Sequence, residues 1–300
     1  MAAISSSTAV QIRERLLPQH QAALTLIKSE LECPAKESFN WLDLGCGRGQ
    51  IILHAEQFLG RSLSGKINFV GVDVNQDYVR ETEQIAKSVF PNCDFIICSL
   101  ENFEHHLGRD DQFDFVSFTN TAHEISPCQL GNLLISAFSR LSDTGQFFVY
   151  DMESLQAHEL GAVTWRSDEI EKIVHQMLIA AGGEGYLPTV SRIPHKTCDA
   201  WYFKIDNKHS KARSSDFKEG RDKIVNSIRK EVYDILSNKI REINMALERL
   251  CRYGETENST GDTNRLLFDH WAVTRALTDL EDGEVASSNL PMLPTSDANG

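Results

Sequence analysis

Basic charge is scarce in this chain of 300 residues: Lys and Arg number 30 against 43 Asp and Glu, a formal net charge of -13. Binding along a phosphate backbone relies on clustered Lys and Arg that displace counterions. The balance therefore argues against nucleic acid as a partner and for a small molecule or a protein. Paired cysteines are missing too. The seven cysteines (Cys33, Cys46, Cys93, Cys98, Cys128, Cys198, Cys251) are odd in number, scattered and without a C-x-x-C pair. Neither a disulfide framework nor a zinc site is indicated, and a reducing compartment is expected. No stretch reaches the roughly 18 apolar residues of a membrane span. The opening residues also lack a basic segment leading into an apolar one, so the expected setting is cytoplasmic, with no membrane partner.

What is present suits an ordinary globular protein, with 41% hydrophobic and 24% charged residues, enough for one large or two modest cores. Short apolar runs alternate with helical patterns over residues 39–206, the signature of a parallel sheet covered on both faces. Strands are predicted at 39–44, 67–73, 94–98, 113–118 and 146–150, and two more near 188–193 and 200–205. Between them Val79, Thr82, Ile85, Ala86 and Val89 share one helical face before Pro91. Leu130, Leu133, Leu134, Ala137 and Leu141 share another. Ser126-Pro127 reads as a helix start with a capping hydroxyl and Pro at the first position. A further helix is expected from Ser167 to about Ala181, stopped by Gly182-Gly183. The expected fold is α/β, a doubly wound, seven-stranded, mostly parallel sheet.

Residues 1–38 read as an N-terminal segment whose amphipathic helix, 10–31, lies over a ligand mouth. Residues 207–282 read as a helical hairpin without a sustained heptad, and 283–300 as a disordered tail rich in Ser, Pro, Asn and Asp. The hairpin packs on its own domain, or serves as a homodimer contact, a substrate lid or a partner-binding arm.

The strongest local signal is W-L-D-L-G-C-G-R-G-Q at 41–50, a strand that breaks into three alternating glycines before a helix. Glycines let backbone N–H groups approach a carboxylate with no Cβ in the way, and the helix N-terminus behind them favours an anion. Asp43 can accept from an ammonium, so a zwitterionic amino-acid tail suits both ends. Asp73 ends the next strand 24 positions after Gly49, near the spacing at which an acidic side chain meets ribose hydroxyls. The G-x-G-x-G spacing disfavours a dinucleotide, whose pyrophosphate requires G-x-x-G against the helix.

D-L-G-C-G-R-G at 43–49, with G-V-D at 71–73, resembles motifs I and II of the class I S-adenosylmethionine-dependent methyltransferase superfamily. The similarity continues through F-D-F-V-S-F at 113–118 and L-S-D-T-G-Q-F-F-V at 141–149, covering residues 39 to 205. The resemblance implies S-adenosyl-L-methionine as cofactor, with Gly45 and Gly47 along its methionine part, Asp73 at the ribose, and Ser99 with Leu100 at the adenine edge. Asp43, Cys46, Gly49, Val74 and Thr119 complete the implied cofactor set. Family members often carry an acidic residue where Ser99 stands.

The reacting group is sought after the fourth strand, outside the carboxyl ends of the sheet, where the chain reads Thr119-Asn120-Thr121-Ala122-His123-Glu124-Ile125. The family often has a histidine in the place of His123, and in some members it assists the acceptor. An imidazole can take the proton from a hydroxyl or amine, and Glu124 can orient it or bind a cationic substrate. The alternative is a packed His123 and a Glu124 that merely favours a helix N-terminus. This loop is not the [DN]-P-P-[YF] of enzymes that methylate the amino groups of bases and glutamines. Pro127-Cys128 reads as packing, Trp165 as packing or a substrate cover, and His105-His106 as solvent-facing. No metal site is expected. The sequence thus points to methyl transfer onto an oxygen or nitrogen of a small-molecule acceptor. A protein or RNA acceptor docked on the helical extension, and a non-catalytic cofactor-binding scaffold, are the alternatives.

Overall fold

The computed structural model describes residues 16–33, 36–155, 159–183, 188–194, 199–209, 220–253 and 259–288. Seven strands form one sheet: β1 Phe39–Leu44, β2 Ile67–Asp73, β3 Asn92–Ile97, β4 Phe113–Thr119, β5 Leu141–Met152, β6 Ser191–Pro194 and β7 Asp199–Asp206. Their order is β3-β2-β1-β4-β5-β7-β6. The first five are parallel, while β7 runs antiparallel to β5 and to β6. Strands covered on both faces read as near-continuous apolar runs. β1 shows this, since only Asn40 in it is less than buried.

Helices α1 Pro18–Leu31, α2 Gln50–Leu59, α3 Arg61–Ser64 and α4 Gln76–Val89 come first in the chain. They are followed by α5 Pro127–Ser139, α6 Ser167–Ala180, α7 Arg221–Tyr253 and α8 Ser259–Ser288. Alternate strand residues face opposite layers. Trp41, Phe69, Phe115 and Phe148 pack with Leu24 and Ile27 of α1, Ile52 of α2 and Ala86 of α4. Leu42, Val116, Phe147 and Val149 pack on the other side with α5, α6, α7 and α8. Trp41 meets Phe69 edge-on with ring centroids 5.0 Å apart, a geometry worth about 0.5–1.5 kcal/mol beyond burial.

The hairpin belongs to this second core. Ile224, Ile228, Val232 and Leu236 of α7 and Val273 and Leu280 of α8 are all buried in it. A Cβ on Gly131 of α5 would lie 3.0 Å from Ile228 Cγ2, so α7 approaches α5 closely. Two polar pins accompany the apolar contact. Lys239 Nζ donates to buried Glu169 Oε2 at 2.8 Å, and Arg221 Nη1 donates to Glu104 Oε2 at 2.9 Å. None of the described helices is long and apolar enough to cross a membrane.

Several local expectations are corrected. Leu16 and Leu17 are not helical, and Pro18 occupies the first position of α1, where its missing N–H costs nothing. The predicted start at Val10 lies outside the described residues. Ser126 makes no side-chain cap; its Oγ lies 3.0 Å from Cys128 Sγ. Leu141 begins β5 and leaves the helical face assigned to it. α8 continues to Ser288, past the tail boundary drawn at 283. Trp165 takes the packing role of its two readings, being 1% exposed with its carbonyl accepting from Trp201 Nε1 at 2.7 Å. As expected, α6 ends on Gly182 in the left-handed region, with Gly183 N–H donating to Leu178 O.

Candidate active site

Strand order reverses beside β1, which has β2 on one side and β4 on the other, and a crevice opens beyond their carboxyl ends. The chain leaves β1 through Gly45, Gly47 and Gly49, with φ of +76°, +52° and +70°, a conformation that side chains with a Cβ resist. At Gly45 a Cβ would sit 2.6 Å from Thr121 Oγ1, whereas nothing lies within 4 Å of one at Gly47. The loop is held from behind. Gly47 N–H donates to Asp73 Oδ2 at 2.9 Å, Asn75 N–H to Asp73 Oδ1 at 2.8 Å, and Thr82 Oγ1 to Gly47 O at 2.7 Å. Across the crevice Asn120 has φ +54° and donates its N–H to Tyr150 O at 2.8 Å. Its left-handed backbone turns Thr121 towards the glycine loop.

These elements enclose a cavity of about 350 Å³. Of the residues singled out in the sequence, Gly45, Cys46, Gly47, Asp73, Val74, Thr119 and Glu124 line it, and α1 reaches it through His20. Four others stand elsewhere. Asp43 lies behind the wall, 3% exposed, accepting from Ser117 Oγ at 2.6 Å. Burial and, less strongly, the charge of Asp73 push its pKa up to about 7, against the hydrogen bond from Ser117. The space beside Gly49 is taken by Thr82 of α4. Leu100 is buried in the core, and Ser99 Oγ accepts from Asn102 Nδ2 at 2.9 Å. Sequence reading named Thr121 only as part of the loop after β4 and did not single out His20, Asn75 or Tyr78, which also line the cavity. Asn75 has a recognisable signal, since it caps α4 by accepting from Asp77 N–H at 3.0 Å.

Beside this cavity His123, 2% exposed, is fixed by Asp151 of β5, 1% exposed. Asp151 Oδ2 accepts from the His123 N–H at 2.8 Å, and Oδ1 lies 2.7 Å from Nδ1. The other ring nitrogen, Nε2, is 3.3 Å from Glu159 Oε2. Burial alone lowers the pKa of His123, but the hydrogen bond and charge of Asp151, with Glu159 and Glu124, outweigh it and hold the pKa above the ordinary value. Burial likewise raises the pKa of Glu124, opposed by His123 and reinforced by Glu159, Asp151 and Asp73.

A second cavity, of about 430 Å³, adjoins the first and shares the Glu124 wall. Glu159, Leu160 and Ala162 line it on one side and Ala272, Arg275 and Asp279 of α8 on the other. Ligating atoms of His123, Glu124 and Glu159 lie within 4.8 Å of one another, a set that could hold a metal ion, although the sequence offered no metal motif. Asp151 and Glu159 read in the sequence only as polar residues beyond the fifth strand, at this end of the sheet, because they stand 28 and 36 positions beyond His123 and only the fold joins them to it.

Residues 35–183 match the family model described as a methyltransferase domain. No curated protein matches the chain. Among solved structures, the CurJ carbon methyltransferase superposes with a TM-score of 0.50 at 11% identity, covering 67% of this chain and 58% of that one. The plantazolicin methyltransferase BpumL gives 0.49 at 15% identity, covering 67% and 89%. Magnesium protoporphyrin IX methyltransferase from Synechocystis PCC 6803 gives 0.43 at 15% identity, covering 68% and 85%. With its glycine loop, its Asp73 and its sheet order, the chain belongs to the class I S-adenosylmethionine-dependent methyltransferases.

Proposed function

We propose that this methyltransferase alkylates an oxygen or nitrogen of a small molecule seated in the 430 Å³ cavity, with His123 as general base. The observation that carries the reading is the shared Glu124 wall: an acceptor there adjoins the cofactor cavity, and Glu159 of the same cavity lies 3.3 Å from His123 Nε2. The glycine loop and Asp73 suit S-adenosylmethionine, since the space beside Gly47 is open and lets a ligand come close to the loop, and Asp73 has lone pairs for ribose hydroxyls beyond those that accept from Gly47 and Asn75. When bound, this group supplies an electrophilic methyl on a sulfonium.

The chain's own contribution is position and proton control. Holding the acceptor in line is worth up to about 7–11 kcal/mol. Asp151 accepts from Nδ1–H, which leaves Nε2 to take the acceptor's proton. Glu159 then accepts a hydrogen bond from the protonated ring. Methyl transfer to a protein or RNA has one observation in its favour: Leu267, Phe268 and Trp271 leave an exposed apolar face on α8.

Cell extract incubated with the purified chain and methyl-labelled cofactor separates the two readings. Label in the small-molecule fraction supports the proposal, and label in protein or RNA overturns it. Calorimetry should detect S-adenosylhomocysteine binding. For the base, His123→Ala should lose turnover, and wild-type turnover across pH would refute the role.

A further inference from the structure

Resting on the reading that the second cavity receives the acceptor, we propose that the atom methylated is an amine nitrogen, brought in as an ammonium ion. The carboxylates at this end of the crevice outnumber the cations. Glu124, Glu159 and Asp279 line the cavity and Asp151 stands behind His123, against Arg275 as the one fixed cation among the described lining residues. Arg275 is itself 3.9 Å from Asp279, and nearby Arg265 is 3.9 Å from Asp269. A protonated His123 is flanked by Asp151 at 2.7 Å and Glu159 at 3.3 Å, so its charge is compensated on both ring nitrogens. The remaining wall joins apolar Leu160, Ala162, Ala272 and Ala276 to Ser126, so it offers room beside an apolar body and one uncharged polar side chain.

The direction of charge flow separates the acceptor classes. When an amine is methylated, positive charge leaves sulfur and arrives on nitrogen, and carboxylates already fixed around that nitrogen stabilise the arriving charge. When a phenolate or carboxylate is methylated, an anion must first enter, and the same carboxylates repel it. In the proposed step the ammonium gives one N–H proton to neutral His123 Nε2. The freed lone pair forms the N–C bond as the C–S bond breaks, and the electron pair of that bond stays on sulfur. The products are a methylated ammonium ion, S-adenosylhomocysteine and imidazolium, which returns its proton to water beside half-exposed Glu159. α8 thereby acquires a function: it supplies one wall of the acceptor site.

The test is binding to the full chain saturated with S-adenosylhomocysteine, using three probes of one shape: benzylammonium, benzyl alcohol and benzoate. Benzylammonium should bind at least about tenfold more tightly than the alcohol, and benzoate least. Glu159→Gln should bring the first two within about threefold while leaving S-adenosylhomocysteine affinity unchanged. Ala276→Trp, which fills the cavity from α8, should abolish binding of all three. Equal binding of ammonium and alcohol, preference for benzoate, or a cation preference that survives Glu159→Gln would overturn the amine assignment and leave methyl transfer to a small molecule standing. If S-adenosylhomocysteine binds but none of the probes does, the cavity is not the acceptor site and both readings fall.

Discussion

His123, on the loop after β4, and Asp151, near the end of the neighbouring β5, are joined twice, the backbone N–H of the histidine to one carboxylate oxygen at 2.8 Å and its ring nitrogen to the other at 2.7 Å. The first bond fixes where the loop after β4 runs, and the second fixes how the imidazole is turned. Asp151→Asn should therefore lower kcat by about 10²–10⁴-fold with little change in S-adenosylhomocysteine affinity. Asp151 also holds the histidine pKa up against burial. Activity that needs the neutral ring rises with pH through that pKa, so the variant's acidic limb should move to lower pH. A pH–rate profile of kcat checks both expectations, and an unmoved limb would detach His123 from the chemistry.

Asp73 serves the cofactor cavity and the loop beside it, since its two oxygens accept from Gly47 and Asn75. Asp73→Ala should weaken S-adenosylhomocysteine by at least about tenfold in a calorimetric titration. Unchanged affinity would remove the ribose assignment.

Asp43 is a buried carboxyl with its pKa pushed from 3.8 to about 7. The folded chain thus holds this proton over a range in which the unfolded chain has released it. The associated stability is complete below 3.8 and is lost as pH rises through about 7. Asn keeps an oxygen for the Ser117 hydroxyl but cannot ionise. The stability of Asp43→Asn relative to wild type should therefore increase by more than about 1 kcal/mol between about pH 5 and pH 8. Urea unfolding at the two pH values measures it.

Ile228 ties the hairpin to α5 at Gly131. Ile228→Ala should cost about 2–5 kcal/mol, and the whole chain should still unfold in one transition because the hairpin and the sheet share a core. A separate early transition at the hairpin would show the two to be independent.

How far the sequence could be read follows from the range of the interactions. β1 and β2 were legible to the residue because Phe39–Leu44 and Ile67–Asp73 are apolar runs ended by glycine or a cap. The glycine loop was legible because three positive-φ positions leave a mark in composition. β5 was harder: it begins at Leu141 rather than 146 because a register shift near Phe113 and Phe115 absorbs the polar S-D-T-G segment into the strand. The acceptor side was half legible. His123 and Glu124 are adjacent on one loop, but Asp151, Glu159 and Asp279 reach them only through strand pairing and the packing of α8, and no local spacing records that.

Glu124, standing between the two cavities, makes their occupancies interdependent. A positive donor and a positive acceptor draw on the same carboxylate, so each weakens the other, and by thermodynamic reciprocity to the same degree. Once sulfur becomes neutral the competition ends, and an unreacted amine binds the spent enzyme better than the charged one. Excess acceptor should then weaken the donor but not the spent product, so product inhibition should sharpen and throughput fall at high amine concentration.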